Sequence, residues 1–164
     1  MKSPPFKKDQ KLQQIAEAYT LDAIDFARDH FGVELDRSEG SVKRIEEMLH
    51  QMHSELVEAK PSQERIYSFA KMFGSYVGEV FRQHHGGQWG VATIDVEPIP
   101  AIKAEAGAMF WPWGKVQGRL VNGEEDNVWL YYTVLRERID KAGETPTPDG
   151  SPIRKSFWSR LFGR

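Results

Sequence analysis

Phe73-Gly-Ser-Tyr-Val-Gly-Glu-Val-Phe81, continued through Arg-Gln-His-His85 into Gly86-Gly-Gln-Trp89-Gly-Val-Ala-Thr-Ile-Asp-Val96, is where the chain changes its period. Upstream of Gly86, Ile66, Phe69, Phe73, Val77, Val80 and His84 recur at steps of three and four, the signature of one helical face. Downstream of Gly87 the pattern alternates, as a strand with one buried face does. The stretch therefore predicts a helix from about Pro61 to His84, a glycine turn, and a strand over 89–96. Within the helix, Ala70, Gly74 and Gly78 fall four apart and form a strip with almost no side-chain bulk. Glycine inside a soluble helix costs about 1 kcal/mol against alanine, so two of them predict the close approach of another backbone.

Moving upstream, two more helices are expected. Leu12, Ile15, Tyr19, Ala23 and Phe26 make one stripe over 9–31, closed by a turn at Phe31-Gly32. Val42, Ile45, Leu49, Met52 and Leu56 make the next, opening at Asp36 or Ser41 as a helix cap and ending at Pro61. Moving downstream, Glu97-Pro-Ile-Pro100 reads as a corner, 101–104 and 108–111 as short strands about Ala106-Gly107, and Trp111-Pro-Trp-Gly114 as a break in the sheet. Lys115–Val121 allows one or two helical turns. Val128–Leu135 suits a strand or a helix; Glu124, Glu125 and Asp126 before it, and Ile139 after it, favour the helix. The expected fold class is α+β: three N-terminal helices, a small antiparallel sheet and a C-terminal helix. The expected division is a flexible basic segment over 1–11, a single α+β domain over 12–142, and a linker with a basic aromatic tail over 143–164.

Composition narrows the classes. The 164 residues hold 22 bases, 24 acids and no cysteine. Without cysteine there is no disulfide framework, thiolate nucleophile or Cys-bearing zinc site. The basic start lacks the apolar run of a signal peptide, and no stretch approaches the roughly 20 apolar residues of a membrane span, so a cytoplasmic address is expected. Charge is divided: four lysines against one Asp in 1–11, four bases and no acid in 151–164, and 14 bases against 23 acids between. Such an acidic body suits a basic protein partner and mismatches a phosphate backbone, so nucleic acid is not an expected ligand.

The residues that carry chemistry resolve into a few groups. Glu46, His50 and His53 share a helical face, and Glu79 lies near His84 and His85. Neither group makes an HExxH or paired ExxH pattern, so no metal or other cofactor is expected. Glu79, flanked by glycines and aromatics, needs donors such as the Trp89 indole, the Tyr76 hydroxyl or the Gly86-Gly87 amides. It is read as a structural carboxylate tying the helix to the glycine turn; a hydrolase-like or metal-dependent enzyme using Glu79 and the histidines is the alternative. No serine sits in a G-x-S-x-G elbow, and there is no phosphate-binding glycine loop. Phe110, Trp111 and Trp113 are the candidate binding residues, since indoles around a proline suit an exposed anchor. The segment Arg154–Arg164 mixes four bases with Phe157, Trp158, Leu161 and Phe162 and suits weak membrane contact or partner docking.

Leu35-Asp-Arg-Ser-Glu-Gly-Ser41 with Gly74-Ser-Tyr-Val-Gly-Glu-Val80 and Gly86-Gly-Gln-Trp89 resembles an LD-x-S-x-x-S opening followed by a G-x-Y-x-G-E-V…G-G-x-W signature. The pairing is similar to a group of small, functionally uncharacterised bacterial domains, over about residues 20–135. The resemblance implies bacterial origin and one α+β domain, and supplies no activity. Asp36, Ser41, Tyr76, Glu79, Gly86, Gly87 and Trp89 are read as structural. The function expected is a non-enzymatic protein-binding module, of the immunity type that sequesters a toxin or effector; a scaffolding protein with a docking tail is a further alternative.

Overall fold

The long helix read from the glycine-tyrosine-glutamate stretch is the spine of the molecule. In the computed structural model, which describes residues 3–142, it is α3 (Gln63–His85), capped at its start by the Ser62 hydroxyl on the Arg65 amide and closed by Gly86 at φ 75°. Before it run β1 (Phe6–Lys8), α1 (Gln10–Phe26) with a π-helical turn over Ala27–Phe31, and α2 (Ser41–Ala59); after it come β2 (Gln88–Ile94), β3 (Glu97–Lys103), β4 (Met109–Phe110), α4 (Pro112–Asn122) and α5 (Val128–Ala142). The strands form one antiparallel sheet in the order β1-β2-β3-β4. The fold is α+β, and no helix among the described residues is long and apolar enough to cross a membrane.

The small-residue strip of α3 does what its spacing predicts. A Cβ on Gly74 would lie 2.8 Å from the Pro112 carbonyl oxygen and the Trp113 Cα, so the start of α4 rests on it backbone to backbone. One turn on, Gly78 makes room for the Trp89 ring and Ile102, which bring the inner face of the sheet onto α3. The main core lies between that face and the helices, with Phe73, Phe81, Trp89 and Phe110 fully buried in it. On the sheet's other face Ala92, Ala101, Met109 and Trp111 make a smaller cluster with Phe6, Ile94 and Ile99.

Several expectations are corrected. Residues 3–11 do not behave as a flexible arm: Phe6–Lys8 pair with Gly90–Ala92, and Asp9 caps α1 by accepting from the Leu12 amide. Their backbone satisfies an open edge of β2, and Phe6, the apolar side chain of that run, is half-buried against the outer-face cluster. The α1 stripe is rotated, with Ala16, Thr20 and Ala27 buried and Ile15 39% exposed, because α1 packs closely on α3 through small residues. Glu97–Pro100 is no corner but the start of β3. Pro98 and Pro100 are tolerated because β3 has only β2 beside it there; β4 reaches no further than Ile102 and Lys103. The true turn is Asp95-Val96, both at positive φ, in the two-residue form that suits the twist of a hairpin. The acidic cluster makes a separate 3-10 turn over Glu124–Asp126, and Asn127 caps α5 through the Leu130 amide. The linker and basic aromatic tail expected after 142 lie outside the described residues.

Candidate functional site

The segment 35–41 and the α3 stretch around Tyr76 meet in space. Tyr76, fully buried on α3, takes the Arg37 amide at 2.9 Å on its oxygen and lies 2.6 Å from the Ser41 hydroxyl. Ser41 donates to the Ser38 carbonyl, so Tyr76 is the donor to Ser41 and the chain of hydrogen bonds closes consistently. Asp36 accepts from the Ser38 amide and hydroxyl, and the Ser38 oxygen accepts from the Ser41 amide. Helix α2 is thus opened by Ser38, held by Asp36. Neither Asp36 nor Ser41 is itself the cap, because Ser41 already sits in the first helical turn.

The same loop is fixed to the end of α3 at two further points. His84 Nε2 lies 3.1 Å from the Arg37 carbonyl, which accepts, and His85 Nε2 lies 2.8 Å from Glu39 Oε2. Tyr132 of α5 donates to that same Glu39 oxygen at 2.7 Å, and Arg136 stands 3.9 Å from the other. Burial pushes the Glu39 carboxyl up, but the hydrogen bonds from Tyr132 and His85 and the charges of His85 and Arg136 outweigh it and hold the group below its ordinary value. Burial and the neighbouring carboxylate both push Tyr132 well up, so it stays a neutral donor.

Glu79 lies on the other side of α3, away from these histidines. It accepts from the Trp89 indole at 2.8 Å and from Arg82 Nε and Nη2 at 3.1 Å each. The expected indole donor is there; the expected Tyr76 hydroxyl and glycine amides serve elsewhere or are replaced by Arg82, which lies one helical turn away on the same face. Glu79 therefore ties α3 to β2 across the Gly86-Gly87 turn. Its partners are Trp89 and Arg82, and neither His84 nor His85 is among them.

Glu46, His50 and His53 are likewise interface groups. Glu46 Oε1 accepts from buried Arg119 of α4 at 2.6 Å, and its Oε2 accepts the Val128 amide at the start of α5. His50 Nδ1, 3.0 Å from Arg119 Nη2, is an acceptor because guanidinium only donates. His53 Nδ1 donates to the Leu120 carbonyl near the end of α4. Among the described residues no group of three or more His, Asp or Glu side chains is arranged to hold a metal ion.

The tryptophan patch is not an exposed anchor. Phe110, Trp111 and Trp113 are 0%, 9% and 6% exposed. Trp113 donates to the buried Ser75 hydroxyl and packs edge-on against Tyr19 and Tyr67, while Phe110 packs against Phe81. A proline at the first position of α4 turns the chain inward there, so the aromatics close the core between sheet and helix.

What stands open is elsewhere. A trench of about 760 Å³ lies between the π-helical turn, the second half of α2 and the start of α3, lined by Phe26, Phe31, Met52, Leu56 and Phe69, with Glu55 and Arg65 among its polar walls. It exists because α2 and α3, consecutive in sequence, barely touch each other: both pack on α4, but α2 turns to α5 and α3 to α1. The apolar stripe of α2 runs on through Met52 and Leu56 after α3 has diverged. Phe26 braces the floor, 5.5 Å from the Phe69 ring and 5.8 Å from Phe73. Periodicity assigns Phe26, Met52, Leu56 and Phe69 to the core, since it reports an apolar face and not what covers it; nothing local points to Arg119 or to the meeting of Glu39 with Tyr132.

No protein-family model, curated protein or solved structure matches the chain.

Proposed function

We propose that the chain is a non-enzymatic protein-binding module whose docking surface is the trench between α1, α2 and α3, in the manner expected of an immunity-type protein that sequesters a basic toxin or effector. The observation that carries this reading is the trench itself: three phenylalanines, a methionine and a leucine line an open channel walled by helices, the form that receives an amphipathic helix in helix-in-groove recognition. The occupant is an apolar helical segment of the partner with basic flanks. The channel's own charged lining is one acid and one base, Glu55 and Arg65, but the body of the chain over 12–150 carries 23 acids against 14 bases and favours a basic partner. The charged contacts steer association and the apolar floor supplies the affinity.

Capture with the intact chain as bait, followed by titration of the purified partner, tests the reading. One partner at near-equal stoichiometry is expected, with binding at least ten-fold weaker for Leu56→Asp and unchanged for Leu130→Asp, an exposed leucine on α5. A partner insensitive to Leu56→Asp, or none, overturns it.

A further inference from the structure

The acid and the base that line the trench stand on different walls, Glu55 on α2 and Arg65 on α3. Neither is neutralised within the described chain. Glu55 accepts from the Gln51 amide at 3.3 Å, a neutral donor one turn back on the same helix. The Arg65 guanidinium lies 5.8 Å over the Phe69 ring, itself part of the lining, and has no ion pair among the described residues. Its backbone is fixed by the Ser62 hydroxyl, which accepts the Arg65 amide. We infer that these two charges choose the helix the trench takes, one with a base along one edge of its apolar stripe and an acid along the other. This rests on the trench being a docking surface and specifies the partner's chemistry inside it.

The α2 wall runs from Gln51 to Ala59, a rise of about 12 Å, which matches roughly two turns of a docked helix with apolar anchors at i, i+4 and i+7. With that stripe on Phe26, Leu56 and Phe69, one edge of the helix faces α2 and the other faces α3. Docking then takes water from both charges. In the free chain Glu55 and Arg65 are exposed and solvated. Under a helix, a charge that meets no partner loses its hydration with nothing in return, and a like charge opposite it adds repulsion. A helix with bases on both edges satisfies Glu55 and repels Arg65; one with acids on both edges does the reverse. The acidic body draws a basic protein in at long range, but discrimination at contact belongs to the two walls.

The test titrates the full chain into three fluorescein-labelled amphipathic peptides, read by anisotropy. The peptides share one leucine stripe and differ in its edges: Lys and Glu, Lys on both, or Glu on both. The Lys/Glu peptide is expected to bind about ten-fold tighter than either of the others. Arg65→Glu, at an exposed position, is expected to move the preference to the Lys/Lys peptide, and Glu55→Arg to the Glu/Glu peptide. Equal or tighter binding of the Lys/Lys peptide by the wild type overturns the inference, as does an order of preference that Arg65→Glu leaves unchanged. Leu56→Asp separates this from the docking surface itself. If Leu56→Asp weakens binding about ten-fold while the preference ignores Arg65→Glu, the trench reading stands and the selection by charge alone falls. If no peptide binds, or binding is insensitive to Leu56→Asp, both fall.

Discussion

Glu79 and Arg119 show how differently two buried charges are held. The Glu79 carboxylate has three hydrogen bonds from Trp89 and Arg82. Removing it strands the fully buried Trp89 donor, so Glu79→Ala is expected to cost about 1–3 kcal/mol in chemical denaturation. Trp89→Phe costs less through this bond than Glu79→Ala, because Arg82 still pairs with the carboxylate; a double-mutant cycle separates the bond from ring packing. Arg119 is less well served: Nε and Nη2 have partners, but Nη1 has none among the described residues. Arg119→Met alone leaves Glu46 buried without its countercharge and is expected to destabilise by about 3–5 kcal/mol. Arg119→Met combined with Glu46→Leu is expected to recover most of that, losing chiefly the Glu46 bond to the Val128 amide. Urea midpoints of the two variants decide this.

Between elements, the close approach of α3 and α4 and the tight β2–β3 hairpin are the points most sensitive to one methyl group or one dihedral angle. Gly74→Ala puts a carbon against the Pro112–Trp113 backbone and is expected to cost about 1–3 kcal/mol despite the better helix propensity of alanine. Gly114→Ala, on the exposed side of α4 with only the Trp111 Cβ within 4 Å, is expected to stabilise by about 0.5–1 kcal/mol. The same substitution thus changes sign with what faces it, and thermal melts of the pair show it. Val96 is a β-branched residue at φ 65° and 93% exposed, so its strain is not offset by burial. Val96→Gly, which leaves Asp-Gly in the hairpin turn, is expected to raise stability by about 1 kcal/mol.

Across the whole molecule, Glu39 is the joint between the 32–40 loop, the end of α3 and α5. Its carboxyl is held below the ordinary value near 4.5, so the folded state binds this proton less readily than the unfolded chain. The stabilisation is fully present above about pH 4.5 and is lost as pH falls through the lower folded value. Acid unfolding monitored by circular dichroism is expected to begin at higher pH for Tyr132→Phe, which removes one of the hydrogen bonds that holds the carboxylate ionised. Equal acid midpoints for the two proteins would remove Glu39 from this role. The trench is also a property of this scale, since no one helix contains it.

Much of the fold was legible along the chain. The change of period at Gly86, the long helix with its small strip, the helical reading of 128–139 and the α+β class all follow from local pattern. Local pattern is set by the faces an element must bury and by the backbone freedom of glycine and proline, and both are written residue by residue. Long-range choices were not. That Trp111 and Trp113 turn inward, that Glu79 takes Arg82, that Glu39 gathers His85, Tyr132 and Arg136, and that the end of the α2 stripe lies open were decided only by packing in three dimensions. An apolar or charged side chain specifies that it needs a cover or a partner. Which one it finds depends on elements up to 93 residues away, as between Glu39 and Tyr132, and no local spacing encodes that distance.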